Sequence, residues 1–152
     1  MDERFLADEM LGRLARYLRI LGYDTEYVRE GDDDAVRARA QREHRTLLTR
    51  DHALARRTSG SALLRSPHLK GQLAELRTQI PGIVLAPRFD RCTRCNGELA
   101  ELPASAARPP GAARPGPVYE CRRCGHRYWE GSHTRQIREF LLHVGPSSTT
   151  TR

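Results

Sequence analysis

Four cysteines in two pairs are the residues of this sequence whose types and spacing point most directly to chemistry. Cys92 and Cys95 form one CxxC knuckle, Cys121 and Cys124 form a second, and 25 residues separate the two. Two facing knuckles can direct four thiolates inward and make a tetrahedral cage that suits zinc. The alternative is a pair of disulfides in a secreted protein.

The cellular setting decides between these alternatives. The first residues, 1–4, are charged and polar rather than an apolar signal segment, and no stretch is long and apolar enough to span a membrane. We therefore expect a cytoplasmic protein with no membrane partner, in a reducing compartment where paired CxxC motifs bind metal more often than they form disulfides. Zinc is the predicted occupant, with a structural role.

The length of 152 residues allows one modest domain followed by a small metal-stabilised module. We place the first domain at residues 1–87 and the zinc ribbon with a C-terminal helix at residues 88–145. Residues 103–117 contain five Pro and two Gly, which predicts a flexible loop within the ribbon. Residues 146–152 are expected to be a disordered tail.

The net charge of +7 favours an anionic partner, and Lys70 is the single lysine among 26 cationic residues. Residues 88–152 carry 11 arginines against 6 acids, so the cysteine half is the more basic one. Arginine presents a planar fork to phosphate, which suits nucleic acid. A genome rich in G and C would give the same bias through codon usage, and composition does not separate these explanations.

Alternating strand and helix patterns cover the first 87 residues. Such an order predicts a three-layer α/β domain with a parallel sheet. The predicted strands are residues 5–7, 25–28, 46–49 and 61–64, and the predicted helices are residues 10–21, 32–43, 53–57 and 71–79. Gly22 is expected to cap the first of these helices. A further helix over 134–144 has an apolar stripe that we expect to pack back on a domain.

Acidic residues follow three of the predicted strands. Asp8 follows the first strand, the run Asp32–Asp34 follows the second, and Asp51 follows the third. In a parallel sheet the ligand crevice lies outside the carboxyl ends of the strands. Clustered carboxylates repel each other unless a cation neutralises them, and oxygen ligands suit Mg²⁺ or Mn²⁺. Glu9 is a further candidate that would ligate the ion or tune its field.

A simpler interpretation exists for each of these acids. Asp8, Asp51 and the Asp32–Asp34 run all stand where a helix begins, and aspartate is a favoured N-cap. The shared strand-end placement favours the metal site, although the order of the strands in the sheet is not visible in the sequence.

Several stretches resemble the Mut-seven C-terminal RNase domains, a branch of the PIN-like nucleases. Residues 5–19 (FLADEMLGRLARYLR) resemble the opening of that family, and residues 21–25 (LGYDT) and 47–51 (LLTRD) resemble its next two signatures. The paired knuckles and residues 128–133 (YWEGSH) are similar to its appended zinc ribbon. The resemblance extends over about residues 4–140.

The resemblance implies a PIN-like fold and metal-dependent cleavage of RNA. It assigns the active-site acids to Asp8, Asp33 and Asp51, and the zinc ligands to the four cysteines. The long loop at 103–117 departs from the usual pattern. A typical PIN-like site has a fourth acid, and the sequence offers no clear position for one after Asp51.

Basic and aromatic residues supply candidate RNA contacts. Arginines three apart on a helix face can grip a phosphate, and cations interleaved with aromatics suit single-stranded RNA. The alternative for the arginines is a solvated helix face, and the alternative for the aromatics is packing over a small ribbon core. His133 would either orient a phosphate or dock the ribbon. The candidates are Arg13, Arg16, Arg122, Arg123, Trp129 and His133.

These observations predict a cytoplasmic hydrolase: a metal-dependent endoribonuclease that holds Mg²⁺ or Mn²⁺ on strand-end aspartates and binds RNA with its zinc ribbon. Two other functions remain open. The missing fourth acid favours an RNA-binding or ribosome-binding adaptor with little or no turnover. A DNA-binding zinc-ribbon regulator is the other, although a regulator has no need for three acids on one sheet edge.

Overall fold

A computed structural model describes residues 3–112 and 115–145. The first half forms a four-stranded sheet in which all paired strands are parallel, in the order β2-β1-β3-β4. The parallel α/β prediction is therefore confirmed, and the strand order is new. The strands are β1 (Arg4–Ala7), β2 (Asp24–Tyr27), β3 (Thr46–Thr49) and β4 (Ala62–Leu63).

Helices cover both faces of this sheet. Phe5 and Ala7 of β1 point to one face and pack in a core with α1 and α4, whereas Leu6 points to the other face and packs with α2 and α3. This alternation along a strand gives each face its own apolar core and makes three layers. The helices are α1 (Gly12–Ile20), α2 (Asp33–Arg42), α3 (His52–Arg57) and α4 (Leu69–Gln79).

The predicted first helix is divided in two. A 3₁₀ turn over Glu9–Leu11 precedes α1, because the Asp8 side chain accepts a hydrogen bond from the Glu9 N–H and begins the turn there. The predicted cap at Gly22 is confirmed: its φ is +90°, and its N–H donates to the Arg19 carbonyl at 3.0 Å. This left-handed geometry favours glycine.

The second half forms an antiparallel sheet in the order β5-β6-β7, with β5 at Leu99–Glu101, β6 at Val118–Cys121 and β7 at Arg127–Trp129. We call these strands with their two knuckles the ribbon. The last helix, α5 (Ser132–Leu142), begins two residues before the predicted start, so His133 lies in its first turn. None of the helices in the described ranges has both the length and the apolarity to cross a bilayer.

Helix α5 packs back on the α/β half, as predicted. Leu141 and Val144 are buried in the core that α1 and α4 share. The rings of Tyr17 on α1 and Phe140 on α5 meet edge to face, with centroids 5.5 Å apart. The ribbon is therefore bounded by a helix that is anchored on the first half.

The ribbon also docks on the amino end of β2 through Asn96, the residue that follows the first knuckle. Asn96 has a φ of 66° and is buried. Its Oδ1 accepts a hydrogen bond from the buried Thr25 N–H at 2.9 Å, and its Nδ2 donates to Asp24 at 2.7 Å. Because β2 is an edge strand, this side chain satisfies a buried backbone donor at the edge of the sheet.

Two arginines complete this junction. Arg19 of α1 donates to the Thr25 carbonyl at 2.8 Å and to the Thr93 carbonyl of the first knuckle at 3.1 Å. Arg45 donates to the Asp24 carboxylate at 2.7 Å and is almost fully buried. Burial alone would raise the pKa of Asp24, but the hydrogen bonds from Arg45 and Asn96 outweigh it and lower that pKa to about 2.

The direction of this shift fixes its effect on stability. A carboxyl whose folded pKa of about 2 lies below its ordinary value of 3.8 stabilises the fold above that ordinary value. The contribution of Asp24 is therefore present at neutral pH and is lost as the pH falls from about 4 toward 2.

We predict that Asn96→Gly lowers the free energy of unfolding of the zinc-loaded protein by about 1–3 kcal/mol, because it leaves the Thr25 N–H buried without an acceptor. Glycine keeps the left-handed backbone free of strain, so the loss reports the side chain. Urea denaturation measures it. His44→Gly is the control, since His44 also has a positive φ, 53°, but is exposed. Equal stability of the Asn96→Gly and His44→Gly proteins would show that the Asn96 side chain adds nothing.

Candidate functional site

The four cysteine sulfurs form one compact group. Their Sγ atoms all lie within 4.8 Å of one another, with Cys92 and Cys124 at 3.6 Å and Cys95 and Cys121 at 3.5 Å. A tetrahedral zinc with bonds of about 2.3 Å requires sulfur separations of roughly 3.8 Å. A disulfide requires about 2.0 Å, and all four cysteines are free thiols. The cage geometry therefore fits zinc and excludes the disulfide alternative in this structure.

The backbone around the cage fits the same interpretation. The N–H groups of Arg123 and Cys124 point at the Cys121 sulfur from 3.3 and 3.4 Å. Such donors orient a metal-bound thiolate and stabilise its charge. A methyl group at Gly97 would lie 2.7 Å from the Cys121 sulfur, so only glycine fits beside the cage.

The four cysteines could ionise together only with a counter-charge beside them. Burial raises the pKa of Cys95 to about 12, and neighbouring thiols act in the same direction. Burial opposes ionisation of Cys92 as well, but hydrogen bonds, above all with the Tyr128 hydroxyl, lower its pKa to about 7. Four thiolates so close together repel one another unless a cation lies between them. A zinc ion would supply that charge.

Asp8 and Asp51 lie at the carboxyl ends of the two central strands and are connected through Thr49. The Thr49 hydroxyl donates to Asp8 Oδ2 at 2.9 Å and accepts from the Asp51 N–H at 3.0 Å. Thr49 is completely buried at the end of β3, so it holds both aspartates in fixed positions. In the order β2-β1-β3-β4, β2 lies on one side of β1 and β3 lies on the other, so the strand order reverses between β1 and β3, and open α/β sheets bind ligands at such a switch point.

The three acids after β2 have different surroundings. Asp32 caps α2, accepting from the Ala35 N–H at 2.8 Å, and Asp34 pairs with Arg57 at 2.7 Å. Asp33 is the first residue of α2 and is exposed, and no other described residue engages its carboxylate. Of the run, Asp33 therefore has the carboxylate most available to a ligand.

The structure confirms that these aspartates cap helical turns, as the simpler interpretation predicts. Asp8 caps the 3₁₀ turn, and Asp51 caps α3 by accepting from the Leu54 N–H at 3.1 Å. A carboxylate oxygen has two acceptor sites, so a cap leaves others available to a cation. Glu9 is exposed, and its backbone carbonyl accepts a hydrogen bond from the Tyr27 hydroxyl at 2.6 Å.

The structure brings these acids to one edge without closing them into a cage. Within the described ranges, the four cysteines are the one group of at least three potential ligands with donor atoms inside 4.8 Å; Asp8, Asp33 and Asp51 do not meet that limit. Mg²⁺ commonly takes one or two protein carboxylates and completes its shell with water and substrate phosphate. The hard oxygen donors and their place at the strand ends fit such an ion. We call this region the acid edge.

Three of the six predicted RNA-binding residues lie together. Arg16, Trp129 and His133 line one cavity of about 440 Å³ between α1, the ribbon and α5. Arg13 is exposed on α1 outside it, and Arg122 is exposed on the ribbon. Arg123 donates to the Cys95 carbonyl at 2.9 Å and so links the two knuckles.

The ribbon and the acid edge lie at opposite ends of the sheet. Asn96 docks at Asp24, which pairs with Arg4, four residues before Asp8. At the rise of a β-strand this separation is roughly 13 Å. The docked knuckle therefore lies too far from Asp8 to add a ligand there.

Sequence reasoning missed several residues that build these sites. Thr49 connects Asp8 with Asp51, Asn96 docks the ribbon, and Arg19 joins α1 to the first knuckle. One signal was available for Thr49, since a polar residue at the buried end of an apolar strand needs a hydrogen-bond partner, and Asp51 follows two residues later. No comparable signal marks Asn96, whose partners lie about 70 residues away in sequence.

With this geometry established, comparison with known proteins gives one match. The family model of the Mut7-C RNAse domain matches residues 3–141, nearly the whole chain, and the chain belongs to this family. No curated protein matches the sequence. No solved structure matches it either.

We predict one zinc ion per purified chain, bound by Cys92, Cys95, Cys121 and Cys124. Cys121→Ser removes one thiolate and should release the ion, and proteolysis should then cut within residues 88–130, because the metal replaces an apolar core there. Elemental analysis and limited proteolysis measure both effects. Wild-type protein without zinc, or with the mass of two disulfides, would contradict the assignment.

Proposed function

We propose that this protein is a metal-dependent endoribonuclease with a PIN-like nuclease domain and a zinc ribbon that helps to bind RNA. One observation carries the proposal: in a chain of an RNAse domain family, Thr49 fixes Asp8 and Asp51 on either side of the sheet's switch point. RNA is the substrate that the family implies. Reduced thiols in a zinc-type cage support a cytoplasmic setting.

Asp8, Asp33 and Asp51 are the proposed ligands of Mg²⁺ or Mn²⁺, and Glu9 lies beside them. A divalent cation bound there would act as a Lewis acid, stabilising the charge that develops on the scissile phosphate and leaving oxygen. The protein's own contribution is to orient the carboxylates that would bind this ion. Asp8 and Asp51 are held rigidly by caps and by Thr49, so they can keep their orientation before substrate arrives.

Arg13 would position the phosphate backbone near the acid edge. It is exposed in the first turn of α1, and the chain leads from Asp8 into that helix through a single 3₁₀ turn. A guanidinium binds phosphate oxygens through paired hydrogen bonds, which fixes the strand relative to the acids. Zinc has no part in this chemistry, since four thiolates leave it no open position.

A second function is favoured by a specific observation. The three acids do not form a closed group in the described part of the chain, and the sequence offers no clear position for a fourth acid after Asp51. An adaptor that binds RNA without cleaving it would need the arginines and aromatics but no metal at the acid edge. It therefore predicts RNA binding that is indifferent to Mg²⁺ and Mn²⁺.

We predict that Asp8→Asn, Asp33→Asn and Asp51→Asn each reduce cleavage of a labelled single-stranded RNA by at least about a hundredfold with Mg²⁺ or Mn²⁺ present. Asparagine caps a helix about as well as aspartate, so the loss would report the missing charge. A double variant should be little worse than a single one, because the residues act as a unit. Without divalent metal, melting temperatures should hold or rise, since carboxylate repulsion is removed.

Asp32→Asn is the matched control, because Asp32 caps α2 at the same edge but is not a proposed ligand. It should cleave RNA like the wild type. The metal site is refuted if the three ligand variants cleave normally, or if zinc-loaded wild type cleaves equally well when Mg²⁺ and Mn²⁺ are omitted. Specific RNA binding without any cleavage would establish the adaptor instead.

A further inference from the structure

The cavity between α1, the ribbon and α5 is a second candidate site, separate from the acid edge. Its volume of about 440 Å³ lies within the range of small-ligand pockets. It draws its walls from three elements that are far apart in sequence. Representative lining residues are Arg16 and Ile20 from α1, Tyr128 and Trp129 from β7, and Ser132 and His133 from α5.

The walls of this cavity are cationic. Four arginines and one histidine line it, and none of its described lining residues is an acid. Arg88 and Arg127 are partly neutralised from outside, by Asp90 at 2.7 Å and Glu120 at 3.0 Å. Arg16 is exposed, and no described residue forms an ion pair or side-chain hydrogen bond with it. Its guanidinium is therefore available to an anionic ligand.

The cavity also contains an aromatic surface. The edges of the Trp129 ring lie beside two glycines: a methyl group at Gly111 would be 3.7 Å from Cζ2, and one at Gly131 would be 3.8 Å from Nε1. Small residues at both edges leave room around the indole. An indole and an unneutralised arginine that line one cavity can bind a base by stacking and a phosphate by charge.

We propose that this cavity binds one unpaired nucleotide of the RNA, with the base against Trp129 and a neighbouring phosphate on Arg16, near Ser132 and His133. The identity of the strand as RNA rests on the proposed function. From the cavity, α1 leads to the acid edge, and the exposed Arg13 lies between Arg16 and Asp8. A duplex keeps its bases stacked and paired, so the protein should select single-stranded RNA.

Trp129 is the single tryptophan of the chain, so its fluorescence reports on this cavity alone. Zinc-loaded wild type without Mg²⁺ or Mn²⁺ is titrated with a single-stranded oligoribonucleotide, the same RNA as a duplex, AMP and inorganic phosphate. We expect saturable quenching by the single strand and by AMP at higher concentration. The duplex should bind at least about tenfold more weakly, and phosphate at matched concentration should leave the signal unchanged.

Two variants test the contacts, and fluorescence anisotropy of labelled RNA measures both. Arg16→Gln should weaken single-strand binding and reduce the slope of log affinity against log salt by about one. Trp129→Ala should weaken binding by roughly fivefold to a hundredfold while zinc content stays at one. Arg42→Gln is the control, since Arg42 is exposed on α2, which packs on the opposite face of the sheet.

The proposal is overturned if RNA binds without changing Trp129 fluorescence, if the duplex binds as tightly, or if Arg42→Gln weakens binding as much as Arg16→Gln. These readouts do not depend on cleavage. Quenching with no cleavage under any metal condition would support the pocket and refute the nuclease, whereas cleavage without quenching would do the reverse.

Discussion

The docking of Asn96 on β2 is the constraint on which the arrangement of the molecule depends. The residue after a CxxC knuckle must turn back on the cage, and here that turn places Asn96 in the left-handed region, with its side chain on the edge of the sheet. The amide replaces the hydrogen-bonding partner that an edge strand lacks. Asp24 and Arg45 add a partly buried charge pair to the same contact. The cage, the first knuckle and the sheet edge therefore form one structural unit. Loss of metal from the cage would weaken the contact of Asn96 with β2.

This contact also separates the two chemical regions. It places the ribbon at the amino end of the sheet, roughly 13 Å from Asp8 at the rise of a strand. Helix α1 is the element common to both regions: it begins beside Asp8, presents Arg13 and Arg16 to solvent, and ends with Arg19 bound to the first knuckle. A strand of RNA that contacts both regions would have to follow this helix, so the spacing of its arginines would set the path.

Local and periodic features were predictable from the sequence, and long-range ones were not. The parallel α/β half, the Gly22 cap and the packing of α5 follow from apolar periodicity and turn chemistry, and the structure confirms them. The four thiols were predictable because a CxxC spacing fixes its own geometry. The strand order was not, because it depends on long-range pairing, and no local pattern indicates that β1 lies between β2 and β3. The cavity could not be predicted from the sequence for the same reason, because its walls come from segments more than 100 residues apart.

The capping and ligand interpretations of the aspartates need not compete. A cap uses one acceptor site of one carboxylate oxygen and, in doing so, removes the rotational freedom of the side chain. Asp8 and Asp51 are restrained in this way, and Thr49 connects them, so an arriving cation would find two carboxylates already oriented. Asp33 differs, because its neighbour Asp32 provides the cap and Asp34 pairs with Arg57. The three aspartates of the run thus have different roles: Asp32 begins the helix, Asp34 forms an exposed ion pair with Arg57 of α3, and Asp33 stays available. Two restrained carboxylates with one exposed carboxylate nearby suit an ion whose remaining ligands come with the substrate.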